Sequence, residues 1–487
     1  MAMKFLWGGA VGFLMLAFLN RRAVPGAGRQ RFWGDAAALL VVLVGWGLLL
    51  TVTGRFVTSL VLGLGLIGLL AAGNGFKQKL LGEPLLFSDV FLAGHALRWP
   101  KLYFGYVPVG VWLGLAVAVL GLTGMGLAEP AMATDERQTA VAGWLVSLAV
   151  VVVGLGVLWA GRTRILAACP LTFDAAADAV RYTALGAAVL HTLNHVVNAK
   201  TVAAEVSADK TPARRQSLVT PARRQSLVTP GHLVLIQGES FAPVSHYLNR
   251  PSVTPMLDAL AREGVSGLLE LAWRGAYTMR TEFSVLTGLK TTDTASWAFD
   301  PYRLADRVPL ATLACDLKAA GYDTVAWHPN DGRFFNRNAV MPHLGFDRFD
   351  DVRAFADLRR VDGKVTDEAL LAKAGRFLAG CTKPTFLFIV TMEAHGPWGG
   401  KTAEDEVRAY EKHLVSLDKG IAKLAAAVRS LPNARLALYG DHLPGLKALA
   451  HERRTATGWM MWPAVSAAPS RMEPQNLRAF LRKEVLG

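Results

Sequence analysis

The stretch "RLALYGDHLPGLK", residues 435–447, decides how the second half of this chain is read. An apolar run stops at Gly440, Asp441 and His442, and Pro444 and Gly445 then bar a simple continuation. One reading is a turn, with Asp capping backbone groups and Gly and Pro as punctuation. The other is a metal site, because carboxylate oxygen and imidazole nitrogen are both ligands. The choice depends on whether other strands end in the same chemistry.

They do. "HLVLIQG" (232–238) reads as a buried strand and leaves Glu239 at its end, while "TFLFIVTM" (385–392) is followed by His395. The strand "DTVAWH" (323–328) ends on His328. Between these runs lie helical patterns at 254–264, 311–322, 366–380 and 403–431, the third opened by Thr366 with Asp367 and Glu368. Strands alternating with helices of this length imply an α/β domain with a mostly parallel sheet. In such sheets functional groups collect beyond the carboxyl ends of the strands, so four polar strand ends favour a site over an isolated turn.

The first 160 residues differ in kind. Apolar runs of membrane-spanning length occur at about 5–20, 36–52, 56–73, 107–127 and 139–160, predicting about five transmembrane helices. A weaker stretch at 182–199 reads as an interfacial helix or a sixth span. Loop arginines at 21–31 and lysines at 74–106 would place both loops in the cytoplasm, against a cytoplasmic N-terminus, so charge alone leaves the topology open. Residues 211–228 repeat "TPARRQSLV" in tandem, which reads as a solvated linker. The predicted layout is a transmembrane bundle at 1–165, an interfacial helix and linker at 166–230, and a catalytic domain at 231–487.

Composition narrows the function classes. The chain has 487 residues, 52% of them hydrophobic, and a formal charge of +14. Its sequence pI is about 9.8 and its mean hydropathy +0.29. No basic block is interleaved with aromatics, so membrane-edge arginines and anionic headgroups explain the charge better than nucleic acid does. Cys169, Cys315 and Cys381 lie far apart and predict no disulfide framework. None lies in the C/S-x-P-x-R context of a type I sulfatase, which excludes formylglycine chemistry.

Taken in order, "GES" after the first strand, "YTMRTEF" (277–283), "HPNDGRFFNR" (328–337), "EAHGPW" (393–398) and "YGDH" (439–442) make the chain resemble a known family. It is the membrane-anchored lipoteichoic acid synthase-like and phosphoglycerol transferase family of the alkaline phosphatase and sulfatase superfamily. "NGFKQKLLGEPLLFSD" (74–89) is similar to that family's juxtamembrane loop.

The resemblance implies an alkaline phosphatase/sulfatase-like catalytic domain facing outward from a bacterial inner membrane, on an N-terminal five-span bundle. It implies Thr278 as nucleophile and Glu239, Thr278, Asp441 and His442 as ligands of one divalent metal. His395, Arg337 and His328 would be substrate-binding residues. Hard oxygen ligands with one imidazole suit Mn²⁺, with Mg²⁺ or Zn²⁺ also compatible. Thr281 lies close to Thr278, and residue logic alone does not choose between them.

The implied reaction moves a phosphoglycerol-type headgroup from phosphatidylglycerol to a cell-surface or periplasmic glycan. It would pass through a covalent phospho-threonine and release diacylglycerol. A phosphoethanolamine transferase using phosphatidylethanolamine and a non-catalytic membrane scaffold are the alternatives. The acceptor glycan is not legible.

Overall fold

The structure, a computed structural model, describes residues 31–90, 137–208 and 231–487 apart from 274 and 453, with scattered positions between 98 and 128. The chain divides into two compact units, Met1–Ala199 and Lys200–Gly487.

In the first unit α1 spans Arg31–Thr53, α2 Phe56–Leu81, α3 Arg137–Ala160 and α4 Arg162–Ala168. Among the described residues two helices are long and apolar enough to cross a membrane, over Gly34–Thr53 and Phe56–Gln78. Counting α3 and α4 together, bent by 61° at their junction, makes a third. These correspond to the expected spans at 36–52, 56–73 and 139–160. The expected spans at 5–20 and 107–127, and the tandem repeat at 211–228, lie outside the described residues. The weaker stretch at 182–199 falls in α5 (Ala184–Ala208) from Ala184 onward, after a break at Thr183, and is not among the candidate spans.

The segment expected as a juxtamembrane loop begins as helix, because α2 continues to Leu81. Gly82 then stops it in the left-handed conformation at φ 71°. The chain folds back so that Asp89 accepts from Lys77 Nζ at 2.7 Å and from the Leu86 amide.

The second unit contains ten strands among the described residues. They are β1 (Leu233–Gly238), β2 (Val265–Glu270), β3 (Asp323–Trp327), β4 (Arg348–Asp350), β5 (Arg360–Val361), β6 (Lys364–Val365), β7 (Thr385–Val390), β8 (Arg435–Gly440), β9 (Ala456–Trp462) and β10 (Arg471–Met472). Eight form one sheet in the order β10-β2-β9-β8-β1-β7-β3-β4, and β5 and β6 make a short ribbon. Only β9 in the large sheet runs against its neighbours, so the expectation of a mostly parallel sheet holds.

Residues of β1, β7 and β8 are buried along their whole length, as continuous apolar runs in a sheet covered on both faces should be. One face carries Val234, Ile236, Leu387, Ile389, Leu436 and Leu438. It packs under α6 (Pro255–Glu263), α9 (Asp367–Ala379) and α10 (Ala403–Ser430), with α7 (Thr278–Thr287) and α8 (Leu313–Ala319) lying between α6 and α9 in the chain. Each fully buried aliphatic side chain there contributes roughly 1.5–3 kcal/mol. The opposite face presents Phe386 and Phe388, on which Phe346 stacks at 5.6 and 5.8 Å. The long α10 starts where a cap is built, with Thr402 and Asp405 each accepting from the other's amide.

Register positions the site. Gly238 of β1 pairs with Gly440 of β8, so the next residues, Glu239 and Asp441, leave the sheet side by side. Gly440 is required there by close approach, since a Cβ at this position would lie 1.7 Å from the Phe241 carbonyl oxygen.

Candidate metal and phosphoryl site

Glu239, Asp441 and His442 are all buried, and each offers a ligand atom within 4.8 Å of the others. The loops that carry them are fixed by their own amides. The Glu239 amide donates to Thr391 Oγ1 at 2.9 Å, tying the end of β1 to the end of β7. Asp441 Oδ1 accepts from the amides of Ser240 (2.8 Å) and His442 (2.9 Å). Ser240, at φ 54°, also donates its hydroxyl to Glu239 Oε1 at 2.8 Å. Tyr410 of α10 donates to the Ser240 carbonyl at 2.7 Å and closes the turn from behind.

These contacts leave a particular set of atoms over. Asp441 Oδ2 and His442 Nε2 are buried without a hydrogen-bond partner. His442 Nε2 stands 3.3 Å from Glu239 Oε1 and 3.4 Å from Asp441 Oδ2. Two carboxylates and one imidazole nitrogen thus converge in a place where two buried anions would otherwise repel. Burial, opposed by His442 and reinforced by Glu239, pushes Asp441 up to about 7. His442 is held up at about 9: burial opposes its charge, but Asp441 and Glu239 outweigh it. A divalent cation is the group that relieves both effects, and the donor set fits one.

Thr278 opens α7 (Thr278–Thr287), and its hydroxyl lies beside the Asp441 carboxylate, helping to hold it charged. At the start of a ten-residue helix it sits where backbone amides favour an anionic ligand. Thr281, the other candidate read from sequence, is spent elsewhere: its hydroxyl donates to the Asp441 carbonyl at 2.6 Å. The two threonines therefore divide the work, one securing the turn and the other facing its carboxylate.

His395 is half-buried, with Nδ1 2.7 Å from the Gly396 carbonyl, and lies close enough to Glu239 to stabilise that carboxylate. His328 is buried, with Nδ1 3.2 Å from the Val390 carbonyl. Burial and the Arg337 cation push its pKa down to about 3, so the imidazole is neutral. With Nδ1–H directed to a carbonyl, its Nε2 is an acceptor.

Arg337 is 1% exposed and donates Nη2 to Glu282 Oε2 at 2.9 Å, leaving Nε without a partner. Glu282 also accepts from Tyr302 and from Gln237 Nε2 at 3.2 Å, and Tyr439 donates to Gln237 in turn. Sequence reading missed this buried network. Its one available signal was a Gln inside an otherwise apolar strand, which has to be satisfied by something. Arg337→Met should cost about 3–5 kcal/mol of stability by stranding the Glu282 charge. The Arg337→Met/Glu282→Gln double variant should recover part of that loss in denaturant titrations; an uncosted single variant would mean that the pair is not structural.

The family model described as Sulfatase matches residues 232–475. The Rhizobium meliloti (strain 1021) capsular polysaccharide biosynthesis protein RkpI is 27% identical over 467 residues, covering 90% of this chain and 83% of that one. The solved structure of Neisseria meningitidis lipooligosaccharide phosphoethanolamine transferase A superposes with a TM-score of 0.50 at 15% identity. That match covers 100% of this chain and 95% of the other, and is a likeness of fold. Streptococcus pyogenes phosphoglycerol transferase GacH, solved with sn-glycerol-1-phosphate, matches at 18% identity and a TM-score of 0.48. It covers 59% of this chain and 82% of its own.

Proposed function

The chain belongs to the sulfatase family, and from that premise we propose that it transfers a phosphoglycerol-type headgroup from phosphatidylglycerol to a cell-envelope glycan, releasing diacylglycerol. The observation that carries this reading is the Thr278 hydroxyl beside Asp441, within a buried Glu239, Asp441 and His442 cluster built for a cation. A hydroxyl nucleophile with no formylglycine position suits phosphodiester transfer better than sulfate-ester hydrolysis.

Glu239, Thr278, Asp441 and His442 would hold one divalent cation, Mn²⁺ by preference with Mg²⁺ or Zn²⁺ compatible. When bound, it supplies the positive charge that favours the alkoxide of Thr278. Thr278 Oγ1 attacks the phosphorus of the lipid; the Oγ1–P bond forms, the bond from phosphorus to the diacylglycerol oxygen breaks, and that oxygen leaves with a proton. An acceptor hydroxyl then attacks the same phosphorus, displaces Thr278 and gives up its proton. His328 Nε2, neutral and accepting, is suited to orienting that hydroxyl by a hydrogen bond, and the proton passes to the departing Thr278 Oγ1. His395 is suited to holding an unesterified phosphate oxygen. Arg337, bound to Glu282, supplies the site with a fixed cation from its floor.

The α1 and α2 helices support attachment to a membrane. We place the catalytic unit outside the inner membrane, because the donor lipid and glycan meet there. The relationship to a capsular polysaccharide biosynthesis protein supports a glycan acceptor.

The test uses the full chain with Mn²⁺ in vesicles of labelled phosphatidylglycerol. Diacylglycerol release with a glycerophosphoryl adduct on Thr278, read by mass spectrometry, is the expected result. Release with no adduct at Thr278 would refute the covalent route, and no release from any phospholipid would refute the reading.

A further inference from the structure

Lys364 lies on β6, outside every motif read from the sequence, yet its Nζ donates to the His395 carbonyl. It is half-buried, and among the described residues no carboxylate comes within ion-pair distance of it. Its acidic neighbours stand beyond ion-pair distance and act on it only through space. Glu393 is engaged: it accepts from the Asp367 amide at 2.5 Å and from Ser416 Oγ at 2.6 Å, with His413 Nδ1 at 3.3 Å. Asp367 is 1% exposed, and burial, reinforced by Glu393, pushes its carboxyl well above the ordinary range. Burial pulls the Lys364 pKa down, while Glu239, Asp362, Glu393 and Asp367 push it back up.

Resting on the phosphotransfer reading above, we propose that Lys364 makes the site select donor lipids whose headgroup carries no cation. A half-buried ammonium with no anionic partner, tied to the His395 segment beside Glu239, is matched by the unesterified oxygens of a phosphodiester and opposed by a second ammonium. A glycerol headgroup brings the first and lacks the second. An ethanolamine headgroup brings both, and finds Glu393 already committed. The inference therefore assigns the donor class from charge at the site.

The test is competition in vesicles holding equal amounts of labelled phosphatidylglycerol and phosphatidylethanolamine, with the full chain and Mn²⁺. The parent chain should release diacylglycerol from phosphatidylglycerol faster by at least about fivefold, the effect of two like charges about 4 Å apart even at a water-like dielectric. Lys364→Glu should shrink or invert that ratio, with melting temperature and Mn²⁺ occupancy unchanged. Lys364→Gln, which keeps the hydrogen bond to the carbonyl, should fall between the two, and Lys364→Arg should restore the preference. An unchanged ratio in Lys364→Gln, or a parent preference for phosphatidylethanolamine, overturns the inference and leaves the phosphotransferase standing. Release from neither lipid removes the phosphotransferase reading itself, and the selection with it.

Discussion

Thr278→Ala is expected to lower diacylglycerol release by at least about 10³-fold, the scale on which removing a covalent nucleophile acts. The fold should survive. Thr278 is 9% exposed, and the substitution removes one hydroxyl facing Asp441, a loss of about 1 kcal/mol. Thr278→Ser should retain activity, because it keeps the oxygen, and no labelled phosphate should remain on the alanine variant. Full activity in Thr278→Ala would assign the nucleophile elsewhere. Thr281→Ala would behave differently: it frees the Asp441 carbonyl and loosens the turn, so it should lower stability and metal occupancy along with turnover.

Asp441→Ala should weaken divalent-metal binding by more than about 100-fold, since changes in outer-shell partners alone cost 10–100-fold. Two effects combine in it. One carboxylate leaves the ligand set, and the amides of Ser240 and His442 lose their shared acceptor. Asp441→Asn separates these: it keeps an oxygen for the amides and loses the charge, so it should hold the turn and still bind metal poorly. Isothermal titration with Mn²⁺ reads both. Undiminished occupancy in Asp441→Asn would remove Asp441 from the ligands.

The parts of the fold legible in the sequence were those whose burial is uniform. β1, β7 and β8 are covered on both faces, so their residues form unbroken apolar runs bounded by polar strand ends. The strand-end rule gathered Glu239, His328, His395, Asp441 and His442 with no knowledge of register, and the family resemblance singled out the ligands among them. β2 and β9 were missed. β2 is half-buried along most of its length and carries Ser266 and Gly267, a pattern indistinguishable from a loop until β9 pairs with it. The same holds for residues whose role comes from a distant neighbour. Glu282 lies inside a quoted motif but had no assigned role until Arg337 met it, and Lys364 belongs to a two-residue strand with no periodicity. Arg337 was expected at the phosphate; its observed partner is a carboxylate.

The pairing of Gly238 with Gly440 also dictates when this site can exist. Ser240 and Asp441, joined by a hydrogen bond, are separated by 201 residues of chain. Until the segment carrying β8 has been synthesised and has docked against β1, Glu239 stands at the end of a strand with neither Asp441 nor His442 beside it. Contacts of such long range form late and slowly in folding. The cluster is therefore incomplete until β8 has docked, and a molecule ending before β8 keeps Glu239 and Thr278 without Asp441 and His442.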